Sequence, residues 1–155
     1  MIEEISKDEA LAFFRTLGEE RQTFTLTAKE VASSHIIIGE RIGGKIVGIG
    51  GVRKRYGLPL SWIAVEKGHQ DRGVGYRLLY RVNAIAANYH SFLLATIPKS
   101  NIGALRITEK NDYRICSEWK EIYYIIHPID SLGEFLWRLL YRIFSFFPML
   151  RKDSK

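Results

Sequence analysis

Three β-rich runs that follow one another with only short turns between them constrain the fold most. They read HIIIGER from residue 35, KIVGIGGVR from residue 45 and LSWIAV from residue 60. Gly43 and Gly44 favour a hairpin turn between the first two runs, and residues 56–59, Tyr-Gly-Leu-Pro, favour a turn between the second and third. Strands joined by turns this short are antiparallel, so the sequence predicts a three-stranded meander.

Helical patterns flank this meander. Residues 2–5 predict a short strand, and Ser6 with Glu9 forms a capping box for a first helix that ends at Gly18. A short second helix is expected at residues 28–33. After the meander, apolar residues recur at helical spacing and predict a long amphipathic helix that ends near His90. Those apolar positions are Val74, Leu78, Val82, Ile85 and Tyr89.

The remaining core elements complete a mixed sheet. SFLLATI from residue 91 predicts a buried strand, residues 102–109 a short helix, and residues 114–128 either one long strand or a hairpin that turns near residues 118–120. The predicted fold class is therefore α/β of the α+β type. Its mixed, mostly antiparallel sheet has six to seven strands and is flanked by helices.

Composition limits the organisation and the partners. A chain of 155 residues with 46% hydrophobic residues suits one globular domain, predicted at residues 1–128. The net charge of +6 suits an anionic partner such as a polyphosphate, a nucleic acid or an acidic membrane. The basic triplet at residues 53–55 is interpreted as a solvated turn, so no specific nucleic acid is expected. Cys116 is the one cysteine, which together with an acidic start unlike a secretory signal favours the cytoplasm.

The segment VEKGHQDRGVGYRLL, residues 65–79, joins the last meander strand to the long helix. Gly73 and Gly75 let the backbone take up strained conformations and approach a ligand closely. The N–H groups of the first helical turn then form a site for a diphosphate, to which Arg72 and Arg77 add positive charge. The alternative is that the two glycines only make a tight turn. The segment is neither a Rossmann fingerprint nor a P-loop, since its glycine spacing fits neither.

These residues resemble the core motif of the GNAT acetyltransferase superfamily, Gln/Arg-x-x-Gly-x-Gly/Ala after the fourth strand, which Gln70, Gly73 and Gly75 match. Asn101 and Ala104 are similar to a second motif of that family. The resemblance covers residues 2–127 and implies acetyl-CoA as co-substrate, with no metal. The cofactor-binding residues that it implies are Val65, Gln70, Asp71, Arg72, Gly73, Val74, Gly75, Tyr76 and Asn101.

The resemblance implies that a neutral amine attacks the thioester directly in a ternary complex. The sheet strands splay after Ser61 and Ser91, and a backbone N–H near Val65 polarises the acetyl carbonyl. The chain departs from the family where acid and base are expected, because Thr108 stands at the usual tyrosine position and no carboxylate precedes Glu66 on its strand. The candidate catalytic residues are Glu66, Tyr113 and Tyr124, with Tyr123 and His35 as further options.

The acceptor is predicted to be a primary amine of a small molecule or peptide. The segments that line the acceptor cleft in the family contain carboxylates beside Trp119, which suit a cationic amine, although solvated loop carboxylates are the alternative. Those carboxylates are Glu19, Glu20, Glu118 and Glu121. The predicted function is an acetyl-CoA-dependent N-acetyltransferase. The rival is a non-catalytic acetyl-CoA or CoA-binding sensor or scaffold.

The extension at residues 129–155 carries a further helix. Ser131 and Glu134 form a predicted capping box, and the run EFLWRLLYRIFSFF is apolar apart from one narrow polar stripe. Pro148 is expected to end the helix. Its apolar face predicts contact with protein, either in a homodimer or on its own domain. Peripheral contact with a membrane is the alternative, because aromatic residues stand beside arginines.

Overall fold

The computed structural model describes residues 1–18 and 26–146, which contain seven strands and five α-helices. The strands are β1 (Ile2–Glu4), β2 (Ile36–Ile42), β3 (Lys45–Arg55), β4 (Leu58–Val65), β5 (Phe92–Pro98), β6 (Arg114–Trp119) and β7 (Ile122–Pro128). The helices are α1 (Lys7–Thr16), α2 (Ala28–Ala32), α3 (Val74–Ala86), α4 (Ile102–Lys110) and α5 (Ser131–Phe146).

All seven strands form one sheet, in the order β1-β2-β3-β4-β5-β7-β6. Each neighbouring pair is antiparallel except β4 and β5, which are parallel. The predicted α/β fold with a mixed, mostly antiparallel sheet is confirmed, with seven strands. The crossover between β4 and β5 contains α3, as parallel strands require a long connection.

Two turns differ in detail from their predictions. Tyr56 and Gly57 both have positive φ, 52° and 80°, as in a two-residue type I′ hairpin turn. Leu58 and Pro59 already belong to β4, so the predicted four-residue turn is too long. Residues 114–128 form the hairpin rather than one strand, and it turns just after β6 at Lys120, whose φ is 51°.

The ends of two helices also differ. α3 ends at Ala86 rather than near His90, because Asn88 and Tyr89 bond the carbonyls three residues back and tighten the chain into a turn. α5 begins at Ser131, one residue earlier than a Ser131 cap implies, and its cap is Asp130, whose Oδ1 accepts from the N–H groups of residues 132 and 133. The predicted Ser131–Glu134 capping box is therefore wrong.

Helices cover both faces of the sheet and bury two apolar clusters. α3 and α4 pack on one face over a cluster that includes Ile38, Val52, Leu78 and Val82. α1 and α2 pack on the other face over a cluster that contains Phe14, Val31, Ile49 and Trp62. The short α2 lies as expected and begins with a capping box between Thr27 and Glu30. This packing fixes the start of α3 beside the carboxyl end of β4.

Candidate functional site

β4 and β5 are neighbours that separate over most of their length. Leu60 and Leu94 are the one residue pair in register between them in the described part of the chain. The Ser61 hydroxyl donates to the Leu94 carbonyl at 3.3 Å beside that pair. β4 pairs with β3, in contrast, from Leu58 to Val65. The two strands thus part after Ser61, as expected, and the gap opens toward their carboxyl ends.

The backbone of Val65 lines this gap. Glu66, the next residue, donates its N–H to the Val47 carbonyl on β3 at 3.0 Å. Because successive N–H groups of an antiparallel strand point to opposite sides, the N–H of Val65 points away from β3 and toward β5. This N–H is the donor that was predicted to polarise a carbonyl.

The loop before α3 ends at Gly73, which is the N-cap residue and has a left-handed φ of 76°. Glycine has no side chain, so the N-cap position supplies no oxygen to bond the first N–H groups of α3. These groups, with the positive end of the helix dipole, favour a bound anion. Asp71 is also left-handed, with φ 58°, and turns the loop toward the helix.

Two side chains hold this loop in place. Gln70 Nε2 donates to the Val65 carbonyl at 3.2 Å, which joins the loop to the end of β4. Arg77 Nη1 donates to the Arg72 carbonyl at 3.2 Å, while its Nε donates to Glu40 Oε1 at 3.1 Å. Arg77 thus supports the loop backbone and is neutralised by Glu40. Arg72 is exposed on the loop and remains the cation suited to a diphosphate.

Glu40 was not foreseen as part of the site. It is buried beneath α3, 4% exposed, and its Oε2 atom has no hydrogen-bond partner within the described residues. A signal was present in the sequence, because position 40 continues the inward alternation of Ile36 and Ile38 along β2. A carboxylate at an inward position requires a cation, and Arg77 supplies it.

Gly75 and its neighbours have distinct environments. A Cβ on Gly75 would lie 2.9 Å from Ile107 Cδ1, so this glycine permits the contact between α3 and α4 rather than clearing space for a ligand. Val74 is buried in the core. Tyr76 is 39% exposed and stacks on Tyr80 with ring centroids 6.4 Å apart.

Asn101 caps α4 on the far side of the gap. Its Oδ1 accepts the Ala104 N–H at 3.0 Å, which gives the Asn-x-x-Ala spacing a structural reason. The cap lies three residues beyond the end of β5, and α4 packs against α3. Asn101 therefore stands near the mouth of the gap whether or not it contacts a ligand.

Glu66 is engaged by two basic groups. Its carboxylate lies 3.1 Å from Lys45 Nζ and 3.1 Å from His69 Nδ1. The hydrogen bond from Lys45 lowers the pKa of Glu66 below its ordinary value. The contact with Glu66 fixes His69 beside the carboxylate. A carboxylate with a lowered pKa is a weak proton acceptor at neutral pH.

Tyr113 is buried at the closed end of the gap. Its hydroxyl lies 2.7 Å from Ser61 Oγ and donates to Asn83 Oδ1 at 3.0 Å, and its ring stacks on His127 with centroids 5.0 Å apart. Burial raises the pKa of Tyr113. These contacts tie α3, β4 and β7 together, so they favour a structural role for this candidate.

Tyr124 occupies a more open position on β7. It is half-buried, in register with Thr96, and its carbonyl accepts from the buried Cys116 thiol at 3.2 Å. Burial raises the pKa of Cys116, which disfavours the thiolate and fits a structural rather than a nucleophilic thiol. Of the three candidate catalytic side chains, Tyr124 is the one with neither a cationic partner nor full burial in the described structure.

Only two of the four predicted acceptor-binding carboxylates, Glu118 and Glu121, lie in the described part of the chain. Glu118 Oε2 lies 3.2 Å from Lys99 Nζ, so its charge is already matched. Trp119, at the end of β6, is 55% exposed. Glu19 and Glu20 lie outside the described residues.

His35 is not near this gap. It lies before β2, at the end of the sheet opposite Val65, where its Nε2 is 3.0 Å from the Nε2 of His90. Burial lowers the pKa of both histidines. Within residues 1–18 and 26–146, no group of three or more His, Cys, Asp or Glu side chains is placed to hold a metal ion.

Comparison with solved structures shows the same fold in bacterial proteins. An acetyltransferase of the GNAT family from Streptococcus pneumoniae superposes with a TM-score of 0.68 at 19% identity, over 84% of this chain and 99% of that one. A putative acetyltransferase from Salmonella typhimurium, solved with its cofactor acetyl-CoA, gives 0.70 at 14% identity, over 84% and 94%. The ribosomal-protein-S18-alanine N-acetyltransferase from Escherichia coli gives 0.67 at 17% identity, over 84% and 94%.

Sequence comparison agrees with the fold. No curated protein sequence matches this chain. The sequence model described as the acetyltransferase (GNAT) family matches residues 2–113, which span β1 to the residue before β6 and include the loop before α3. The chain therefore belongs to the GNAT acetyltransferase family.

Proposed function

We propose that this chain is an acetyl-CoA-dependent N-acetyltransferase that moves an acetyl group to a primary amine of a small molecule or peptide. The observation that carries the proposal is the gap between β4 and β5, which opens beside the N-terminus of α3. A diphosphate on the helix and a thioester arm in the gap would therefore belong to one extended ligand. The acetyl-CoA bound to the Salmonella typhimurium neighbour supports the same co-substrate.

The residues around the gap fit this ligand. Gly73 leaves the N-cap without a capping side chain, and Arg72 is exposed beside it. Gln70 acts by fixing the loop to β4. The cofactor-binding residues are proposed to be Val65, Gln70, Asp71, Arg72, Gly73, Val74, Gly75, Tyr76 and Asn101. For Val74, Gly75 and Tyr76, the contribution is the backbone N–H of the first helical turn.

In this arrangement, the backbone N–H of Val65 stabilises the negative charge that develops on the acetyl carbonyl oxygen. Acetyl-CoA, when bound, would supply an acetyl thioester that an amine attacks directly in a ternary complex, so that a C–N bond replaces the C–S bond and the CoA thiol is released. The Val65 N–H points into the gap and would donate to the carbonyl oxygen as negative charge develops there. A preorganised donor of this kind typically contributes about 3 to 4 kcal/mol to a transition state.

The amine must lose a proton before or during the attack, since an alkylamine has a pKa of about 10. Glu66 is a weak base because Lys45 lowers its pKa, and Tyr113 is enclosed by Ser61 and Asn83. Tyr124 is the more accessible hydroxyl. We therefore propose that water in the gap carries the proton and that none of these three side chains is indispensable.

A non-catalytic acetyl-CoA or CoA sensor is the second candidate. The state of two catalytic candidates favours this function. Glu66 is held by Lys45 and His69, and Tyr113 is buried, so neither is placed to exchange a proton with a substrate. A sensor would bind the ligand through the same gap and loop. Binding measurements alone do not separate the two functions.

Release of free thiol from acetyl-CoA across a panel of primary amines separates them. The panel contains polyamines, amino acids, aminoglycosides and peptides with a free N-terminus or lysine, and mass spectrometry identifies the acetylated product. Amine-dependent thiol release that stops in the Gly73→Glu variant supports the transferase. Tight acetyl-CoA binding without thiol release from any amine would support the sensor and reject the enzyme.

A further inference from the structure

α5 has a docked side and an outward side. On the docked side, Arg114 of β6 forms a 2.8 Å salt bridge with Glu134 and stacks over the Trp137 ring at 4.6 Å. Gly133 lies against the sheet so closely that a Cβ there would approach the Ser91 carbonyl oxygen to 2.1 Å. Docking on its own domain, one of the two protein contacts predicted from the sequence, therefore accounts for one side of the helix.

The outward side carries a stripe of large apolar residues. Leu132, Phe135, Leu139 and Ile143 recur at spacings of three, four and four residues, which places them on one face of the helix. Their exposed fractions are 54%, 59%, 42% and 43%. Tyr141, also exposed at 51%, lies on another side of the helix, where its ring stacks on Trp137 with centroids 5.7 Å apart. An exposed apolar stripe of this length marks a docking surface.

The helix becomes less covered toward its end. Residues 141, 142 and 143 are all exposed, although three consecutive helical residues point in directions spread over about 200°. The sheet therefore covers the first half of α5, and this later turn projects from the domain. The exposed side chains of this turn are accessible to a flat surface larger than the domain itself.

The charge of the segment around the stripe indicates what kind of surface binds it. Residues 130–155 contain three acidic side chains and five basic ones, Arg138, Arg142, Arg151, Lys152 and Lys155, so the side chains of this segment carry a net charge of +2. Arg138 lies 3.3 Å from Glu134, which also pairs with Arg114. A second copy of the chain that packed against this segment symmetrically would bring like charges together. An anionic surface is complementary to it.

We propose that α5 docks the protein on anionic lipid bilayers. Its apolar stripe lies among the upper acyl chains, and its basic residues lie at the level of the lipid phosphates. Aromatic residues beside arginines suit this depth, where one end of a side chain is apolar and the other is hydrated. None of the helices in residues 1–18 and 26–146 has the length and hydrophobicity of a membrane span. The contact that we propose is peripheral.

The test is sedimentation of the full chain with vesicles of phosphatidylcholine alone or with phosphatidylglycerol added. We expect binding to the anionic vesicles only, weakened in about 1 M salt, where charges are screened beyond about 3 Å. Leu139→Glu and Ile143→Glu should each raise the lipid concentration for half-maximal binding at least about tenfold, because each places a charge among acyl chains.

Ile42→Glu is the matched control for Ile143→Glu. Both isoleucines are exposed to a similar degree, 46% and 43%, but Ile42 ends β2, near the edge of the sheet opposite β6. Only Ile143→Glu should weaken vesicle binding. Melting temperature and acetyl-CoA binding of all variants establish that the domain is intact.

Three results would overturn the proposal. The first is no sedimentation of the full chain with anionic vesicles, and the second is equal binding to neutral and anionic vesicles. The third is a dimer in sedimentation velocity that Leu139→Glu dissociates, without vesicle binding, since the stripe would then be a contact between two copies of the chain.

Discussion

Gly73 and Gly75 stand two residues apart and have different reasons to be glycine. Gly73 has the left-handed φ of 76° that other residues adopt at a cost, and it faces outward at the helix start. Gly75 is buried, and α4 occupies the space that its Cβ would need. One motif therefore combines an exposed glycine at the proposed ligand site with a packing glycine, and spacing alone does not distinguish the two.

Gly73→Glu should abolish acetyl-CoA binding while the domain stays folded. The carboxylate would stand where a diphosphate binds, and the strain of a left-handed non-glycine residue costs about 1 to 2 kcal/mol. Calorimetry should show at least about a hundredfold increase in Kd, or about 2.7 kcal/mol.

Gly68→Glu is its control, because it adds the same charge to the same loop at a position with no atom within 4 Å of a Cβ. Its Kd should stay within about threefold of the wild-type value, which is about 0.7 kcal/mol. Unchanged affinity in Gly73→Glu would show that the diphosphate does not bind at this loop.

Single substitutions of the three catalytic candidates should each have a limited effect on turnover. Glu66→Gln, Tyr113→Phe and Tyr124→Phe should reduce kcat less than about 100-fold, the lower end of what an indispensable acid or base contributes. Tyr113→Phe should also lower the free energy of unfolding by about 1 to 3 kcal/mol, since Asn83 would lose a buried donor.

Steady-state kinetics at saturating acetyl-CoA, with chemical denaturation in parallel, separates these effects. A larger loss of kcat in one variant, with acetyl-CoA affinity and stability unchanged, would identify that side chain as the acid or base. It would also contradict a proton path through water.

Among the elements, patterns within one segment were predictable and contacts between segments were not. Alternation and glycine turns predicted β2, β3 and β4, and capping residues predicted α1. The position of Glu66 beside Lys45 and His69 depends on three separate segments, so no local pattern could reveal it. The Asp130 cap was missed because Ser131 and Glu134 have the same spacing as a capping box.

α5 should be displaced by a single added methyl group. Gly133→Ala places a Cβ against the Ser91 carbonyl oxygen and the Pro128 backbone, so α5 must shift away from the sheet. We expect a loss of about 1 to 3 kcal/mol in the free energy of unfolding, as for other overpacked sites.

Gly103→Ala provides the comparison for this substitution. It too lies in the first turn of a helix, but its Cβ would meet only Asn101 Oδ1, at 3.8 Å. Alanine favours a helix over glycine by up to about 1 kcal/mol, so this variant should be neutral or more stable. Equal stability of the two variants in urea denaturation would refute close docking at Gly133.

In the molecule as a whole, α5 covers part of the sheet with one side and presents an exposed apolar stripe on the other. Deletion of residues 130–155 removes the contacts that Arg114 makes with Glu134 and Trp137, and it exposes the surface of β6 and β7 against which α5 packs. Exposed apolar patches favour association. We therefore expect the truncated chain to aggregate or change its oligomeric state in light scattering after size-exclusion chromatography.

A chain that ends at Phe146 is the control for this deletion, because it keeps all of α5. In light scattering it should show the oligomeric state of the full chain. If the chain that lacks residues 130–155 remains dispersed in the oligomeric state of the full chain, α5 is dispensable as a cover.

The single register pair between β4 and β5 also has a consequence for how the molecule unfolds. Leu60 and Leu94 aside, the two halves of the sheet are joined by side chains, among them Ser61, Tyr113 and Asn83. Backbone hydrogen bonds thus contribute little cooperativity across this seam. A ligand that occupies the gap would couple the two halves, so that they unfold as one cooperative unit. The proposed reaction and the cooperativity of unfolding would then depend on the same bound molecule.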